Sequence, residues 1–246
     1  MDKDRMAPSR ILVPIAAVAI IAVVLLAAFY EPTSPDRDTL YQVSPFSVFS
    51  AGKFDGNTTF AELAEFGDFG IGTLNGLDGE MFALNGKFYQ IPTDGAPREI
   101  GSVEKTPYAT VTFFNKDQSF QVSNIDNYSQ LKSEIDQELP THDIIYAIKV
   151  VGFFQLAETR SVPMQNEPYP TLQEALENQT IFMLNEVEGT AVGFFFPESM
   201  DGVDSIGYHL HFLTDDHMGG GHLLECEIQN ATVEIELIKN YHLLIT

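Results

Sequence analysis

Residues 207 to 225 read Gly-Tyr-His-Leu-His-Phe-Leu-Thr-Asp-Asp-His-Met-Gly-Gly-Gly-His-Leu-Leu-Glu, and this stretch restricts the fold more than any other. His209 and His211 are two apart, so on a strand both side chains leave from one face. Two aspartates and three glycines between Thr214 and Gly221 make a turn. His222 opens a second apolar run, so an antiparallel hairpin brings it back beside His211. Three imidazoles on one face, with no fourth protein ligand close in sequence, suit a catalytic zinc-type site with an open position. The alternative is a surface pair, or a core pair satisfied by its neighbours. Against it, the chain has 6 histidines, and four of them lie between 209 and 222. His217 sits at the turn tip and reads as a solvated loop residue. His142 and His242 have no partners visible in the sequence and take no role.

The chain outside this stretch divides in two. Residues 1–10 form a basic flank with Lys3, Arg5 and Arg10. Residues 11–29 are apolar throughout and carry no charge, a length that spans a bilayer core. The basic flank favours a cytoplasmic amino end, which places the body of the protein outside the cytoplasm. A cleaved signal peptide, and hence a secreted protein, is the competing reading. The run is long for a signal, and Leu26-Ala-Ala-Phe29 is a poor cleavage site. Residues 30–39 are a polar linker, and 40–246 form the globular body.

Asp+Glu of 35 against Lys+Arg of 13 gives a formal charge of −22, which repels nucleic acid and anionic lipid. A single cysteine, Cys226, rules out an intramolecular disulfide framework.

Within the body, spacing predicts short helices over 59–66, 127–139 and 171–178. Strands are expected at 82–91 around an Asn85-Gly86 turn, at 109–114 and at 144–156. Residues 180–196 read as two strands broken at Glu188-Gly189, and 231–237 as a further one. Residues 67–81 bring glycine or a turn former every two or three positions. The pattern describes an α+β fold of antiparallel or mixed sheets with short helices. A helix followed by a strand pair occurs early and again late, which hints at a duplicated unit.

Three blocks carry a resemblance. They are Gly70-Ile-Gly-Thr73-Leu-Asn-Gly-Leu-Asp-Gly-Glu80-Met81, then Glu158-Thr-Arg160-Ser-Val-Pro163, then Gly207-Tyr-His-Leu-His-Phe212 with Asp215-Asp216 and Gly-Gly-His222. In this order and spacing they resemble the α-acetolactate decarboxylase family, over roughly residues 40 to 237. The resemblance implies zinc on His209, His211 and His222, a catalytic Glu80, a catalytic and substrate-binding Arg160, a threonine at the site in Thr73, and a homodimer. It departs at the end, where family members continue into a tail bearing a second glutamate. Here Glu234 and Glu236 are followed by Thr246 with no evident equivalent.

Taken alone, Glu80 in Asp-Gly-Glu reads as a turn carboxylate that caps a backbone amide, and Arg160 as a surface ion-pair partner. An arginine framed by apolar strands also suits a 2-hydroxy-3-oxo acid as small-molecule substrate. The function expected is zinc-dependent decarboxylation of 2-acetolactate to acetoin and CO2. Two readings compete with it. A cupin-like metal enzyme also uses His-x-His, but with a glutamate soon after the pair. A non-catalytic, membrane-anchored metal-binding protein leaves Glu80 and Arg160 unexplained.

Overall fold

A computed structural model describes residues 37–245. The expected anchor at 11–29 and its basic flank lie outside the described residues. Among the described residues no helix is long and apolar enough to cross a membrane.

The strands in chain order are β1 (Thr39–Val43), β2 (Thr58–Thr59), β3 (Phe69–Thr73), β4 (Glu80–Leu84), β5 (Lys87–Ile91), β6 (Arg98–Glu99) and β7 (Lys105–Thr106). They continue as β8 (Ala109–Thr112), β9 (Gln118–Ile125), β10 (Tyr146–Ser161), β11 (Thr180–Phe196), β12 (Gly207–Thr214), β13 (Gly220–Leu237) and β14 (Asn240–Leu244). Among the described residues four short α-helices join them: α1 (Phe46–Ser50), α2 (Phe60–Leu63), α3 (Tyr128–Glu138) and α4 (Leu172–Leu176). The content is mostly sheet with a few short helices, in keeping with an α+β fold.

One sheet has seven strands in the order β14-β1-β8-β3-β4-β5-β6, and β1–β14 is its one parallel pair. The second holds β10-β11-β12-β13-β9, and β10 also pairs with β13. The strands β10 to β13 therefore close on themselves, and β9 is added along β13.

Apolar faces decide how the sheets meet. Phe69 and Ile71 of β3 and Phe82 of β4 pack against Val192 and Phe194 of β11 and Leu213 of β12. Burying each such side chain contributes about 1.5–3 kcal/mol, so the sheets stack face to face around this layer. Leu131 and Ile135 of α3 pack with Ile148, Val150 and Phe212 of the closed sheet in a second core, at the spacing expected for 127–139. Met81 and Ala83, alternating with Phe82, face the opposite side of the first sheet with Phe60 and Leu63 of α2. The Asn85-Gly86 turn joins β4 to β5 with φ of 53° and 75°, the left-handed pair that this hairpin needs.

Three expectations are corrected. Residues 180–196 form one strand of 17 residues, unbroken at Glu188-Gly189. Gly189 is there for close packing, because a Cβ on it would come 2.3 Å from the Phe212 ring. Residues 231–237 likewise belong to one strand that starts at Gly220. The duplicated unit falls with this, since α2 leads into four short strands of one sheet and α4 into a single long strand of the other.

Candidate active site

The hairpin forms as its sequence predicts, with His211 directly opposite His222. Arg160 of β10 is the partner of His222 on its other side. Arg160, His222 and His211 thus make one row across three strands, and His209 stands two residues further along β12. Leu213 faces the other sheet, so by alternation His209 and His211 face it too. Leu210 and Phe212 turn to the opposite core.

The first sheet supplies the facing wall. Thr73 and Glu80 are direct partners across β3 and β4. Glu80 leaves on the side of Phe82, and Thr73 on the side of Ile71, toward the histidines. Gly79, just before Glu80, has φ of 77°, and a Cβ there would lie 2.5 Å from the Ile91 carbonyl oxygen. Thr73 Oγ1 donates to the Gly79 oxygen at 2.6 Å, so it fixes this turn while lining the cavity. The site is therefore the polar margin of the apolar layer between the sheets.

Arg160 Nη1 donates to Glu80 Oε1 at 2.8 Å, and Glu80 Oε2 lies 3.5 Å from His211 Nε2. Neither member of this pair is on the surface; Glu80 is 6% exposed. The readings of Glu80 as a backbone cap and Arg160 as a surface partner are both overturned. Burial raises the Glu80 carboxyl above its usual range, and the Arg160 charge pulls it back only in part.

His211 Nδ1 hydrogen-bonds the Met81 carbonyl oxygen at 2.8 Å, which makes Nδ1 the protonated nitrogen and leaves the Nε2 lone pair bare. His211 Nε2, His209 Nδ1 and His222 Nδ1 are all buried without a hydrogen-bond partner. One ligand nitrogen from each ring lies within 4.8 Å of the others. Burial and the nearby Arg160 charge hold His209 down to about 3, and His211 and His222 lie well below the ordinary histidine value, chiefly through burial. Three neutral imidazoles with orphaned nitrogens fit a metal ion, which needs unprotonated ligands. Buried nitrogens without partners are otherwise costly.

A cavity of about 260 Å³ opens over these groups. Its far wall is apolar, with Phe46 and Phe49 of α1 and Leu172 and Leu176 of α4, and it is completed by Tyr108. Phe49 stacks on the Tyr108 ring at 4.8 Å, an aromatic pair worth about 0.5–1.5 kcal/mol. Among the described residues Glu80 is the one carboxylate lining the cavity. Glu234 is tied to Lys116 and Lys149, and Glu236 is fully buried on β13; neither lines the cavity.

All six expected site residues meet here. His217 is exposed at the turn tip against the Tyr89 ring, as expected. His142 and His242, with no partners visible in the sequence, both have them in the fold: His142 Nε2 lies 3.0 Å from Asp136 Oδ1, and His242 packs on Tyr41. The apolar wall and Tyr108 were not foreseen; the Thr171-Leu-Gln-Glu174 capping box was a visible signal for α4.

A family model, Alpha-acetolactate decarboxylase, matches residues 40–246. An alpha-acetolactate decarboxylase of Methanosarcina mazei is 42% identical over 200 residues, covering 81% of this chain and 69% of that one. One from Methylococcus capsulatus is 39% identical over 216 residues, covering 87% and 82%. The crystal structure of alpha-acetolactate decarboxylase from Bacillus subtilis strain 168 superposes with a TM-score of 0.82 at 35% identity, covering 84% of this chain and 88% of that one. A site built from three motif blocks, in a fold shared over most of both chains, leads to one conclusion: this chain belongs to the alpha-acetolactate decarboxylase family of carboxy-lyases.

Proposed function

We propose that the protein converts 2-acetolactate (2-hydroxy-2-methyl-3-oxobutanoate) to acetoin and CO2, with zinc held by His209, His211 and His222. The observation that carries this reading is the set of three orphaned, neutral imidazole nitrogens facing a buried glutamate–arginine pair across one small cavity. When bound, the ion supplies a Lewis acid beside the substrate's hydroxyl and ketone oxygens.

The chain's own groups do the rest. Arg160 gives one donor to Glu80 and has further guanidinium donors for the substrate carboxylate and developing negative charge. Breaking the C1–C2 bond releases CO2 and leaves an electron pair on C2, delocalised onto the C3 ketone oxygen. Glu80 holds a proton at Oε2, the oxygen not tied to Arg160, and delivers it to C2. The elevated affinity of Glu80 for protons follows from burial and suits this step. Thr73 Oγ1, its hydrogen committed to Gly79, offers lone pairs to a substrate hydroxyl. Phe46, Phe49, Leu172 and Leu176 exclude water from the nascent carbanion.

The test is to incubate the zinc-loaded chain with 2-acetolactate and follow acetoin and CO2 in equal amounts. A fully metallated protein that forms neither supports a non-catalytic metal-binding role. We further propose that 11–29 anchors the protein with its body outside the cytoplasm, on the strength of the uncharged run and its basic flank. Recovery of the intact chain in the soluble fraction counts against the anchor.

A further inference from the structure

The reaction takes up one proton per turnover, and Glu80, the carboxylate at the cavity, is already committed to C2. A second acid stands behind the wall. Asp204 is 2% exposed, in the segment that leads into β12. Its Oδ1 accepts the Tyr108 hydroxyl at 2.7 Å and the Ser205 backbone N–H at 2.6 Å. Its Oδ2 accepts the Thr110 hydroxyl at 3.3 Å. All three donors are neutral, and among the described residues no lysine, arginine or histidine pairs with it. An unpaired buried carboxylate is costly enough that the group takes up a proton instead. Tyr108 and Ser205 both line the cavity, whereas Asp204 does not.

We propose that Tyr108 is a further catalytic residue of the decarboxylation and that Asp204 is the positioning residue that supplies its proton. This rests on the activity proposed above. As CO2 leaves, negative charge grows on the C3 oxygen of the substrate. With Asp204 protonated, the 2.7 Å bond reverses and its O–H donates to the phenol oxygen, which frees the Tyr108 hydrogen. The Tyr108 hydroxyl then transfers its proton to the C3 oxygen while the Asp204 carboxyl passes its own to the phenol oxygen. When Glu80 protonates C2, the ketone reforms, the C3 oxygen returns its proton to Tyr108, and Asp204 regains the one it lent. Protons balance, no electrons are exchanged, and the net uptake is the proton delivered by Glu80.

The surroundings fit this role. Burial pushes Asp204 up to about 7, against the pull of its three hydrogen bonds. Tyr108 is held well above the usual tyrosine value, by burial first and by Asp204 next, so its phenol regains a proton readily. Among the described residues the ionisable group bonded to Asp204 is Tyr108, just before β8, and Tyr241 of β14 feels the Asp204 charge; both phenols are neutral at pH 7. The segment is held in place by backbone bonds from Phe46 and Ser47 of α1 to Val203 and Gly202, and by Gln42 Nε2 to the Val203 oxygen.

The experiment is the pH profile of kcat for acetoin formation by the zinc-loaded chain, as wild type and as Tyr108→Phe, Asp204→Asn and Thr110→Val. The wild type should lose activity on the alkaline side with a midpoint near that of Asp204. Tyr108→Phe keeps the stacked ring and should lower kcat by about 10²-fold. Asp204→Asn should lower kcat at least about tenfold and move the alkaline midpoint away from that of Asp204, leaving the limb that Glu80 sets. Thr110→Val removes a donor that favours ionised Asp204, so its limb should move to higher pH. A purely structural role could weaken folding but would leave the midpoint where it was. Wild-type kcat in Tyr108→Phe, or an unmoved limb in both Asp204→Asn and Thr110→Val, overturns the proposal. If either of the first two variants fails to fold, Thr110→Val decides by its midpoint alone. Absence of acetoin from the wild type defeats the proposed function itself, which is a separate result.

Discussion

Replacing Arg160 with glutamine removes the positive charge that, among the described residues, is set against buried Glu80. The two groups are 2.8 Å apart, with side chains 14% and 8% exposed. At an effective dielectric near 20, unit charges about 4 Å apart attract by about 4 kcal/mol, and breaking a buried pair by deleting one partner costs about 3–5 kcal/mol. That full cost applies only while Glu80 stays ionised. Without Arg160, the remaining influence on Glu80 is burial, which raises its affinity for protons further. A carboxyl whose folded-state pKa is raised stabilises the fold most below its unfolded value, and that contribution is lost as pH rises through the folded value. Arg160→Gln should therefore be only mildly destabilised near pH 5 and progressively more so toward pH 8, by up to about 1.4 kcal/mol per pH unit. Urea unfolding of metal-free wild type and variant at both pH values measures the difference. The Glu80→Gln, Arg160→Gln double variant should recover much of the loss at pH 8. A deficit below about 1 kcal/mol at both pH values, the behaviour of an exposed pair, refutes the reasoning. So does a large deficit that does not depend on pH.

Glu80→Gln should retain its zinc and its fold while losing about 10²–10⁴ in kcat, which parallel metal analysis and acetoin assays check. His217→Ala should change neither metal content nor turnover, because its ring lies at an exposed turn tip against Tyr89. Glu236 is fully buried with Oε1 unpartnered, and burial pushes it to about 7. Its stabilising share is present in acid and lost as pH rises through 7, so Glu236→Gln should match wild type at pH 5 and exceed it at pH 8 in urea unfolding. The three site histidines have depressed values, so their share runs the other way. Chelated protein should be stable above about pH 6.5 and weaken as pH falls, whereas the zinc-loaded protein should resist this to lower pH.

What could be read in the sequence was local. Thr214 to Gly221 makes its own turn, and period-two alternation then puts His209, His211 and His222 on one face without help from the rest of the chain. The Asn85-Gly86 hairpin and the helix from Tyr128 were legible for the same reason. The Glu80–Arg160 contact joins residues 80 positions apart on different sheets, and it exists only once Phe82 and Leu213 have packed those sheets together. Only the resemblance pointed to it. Gly189 misled because glycine marks both turns and close packing, and the Phe212 ring that fills the space above it is 23 residues away. Tyr108 and Asp204 left no sign at all, since each sits among ordinary strand or loop residues and gains meaning from the other.

In the proposed function, turnover depends on a metal held by His209, His211 and His222. Stripping the full chain with a chelator, then titrating zinc back while following acetoin from 2-acetolactate, tests it most directly. The stripped protein should be inactive, about one zinc per chain should restore full activity, and His211→Ala should neither hold zinc tightly nor recover. Stripped protein that keeps wild-type turnover, or His211→Ala that binds zinc and turns over normally, contradicts it.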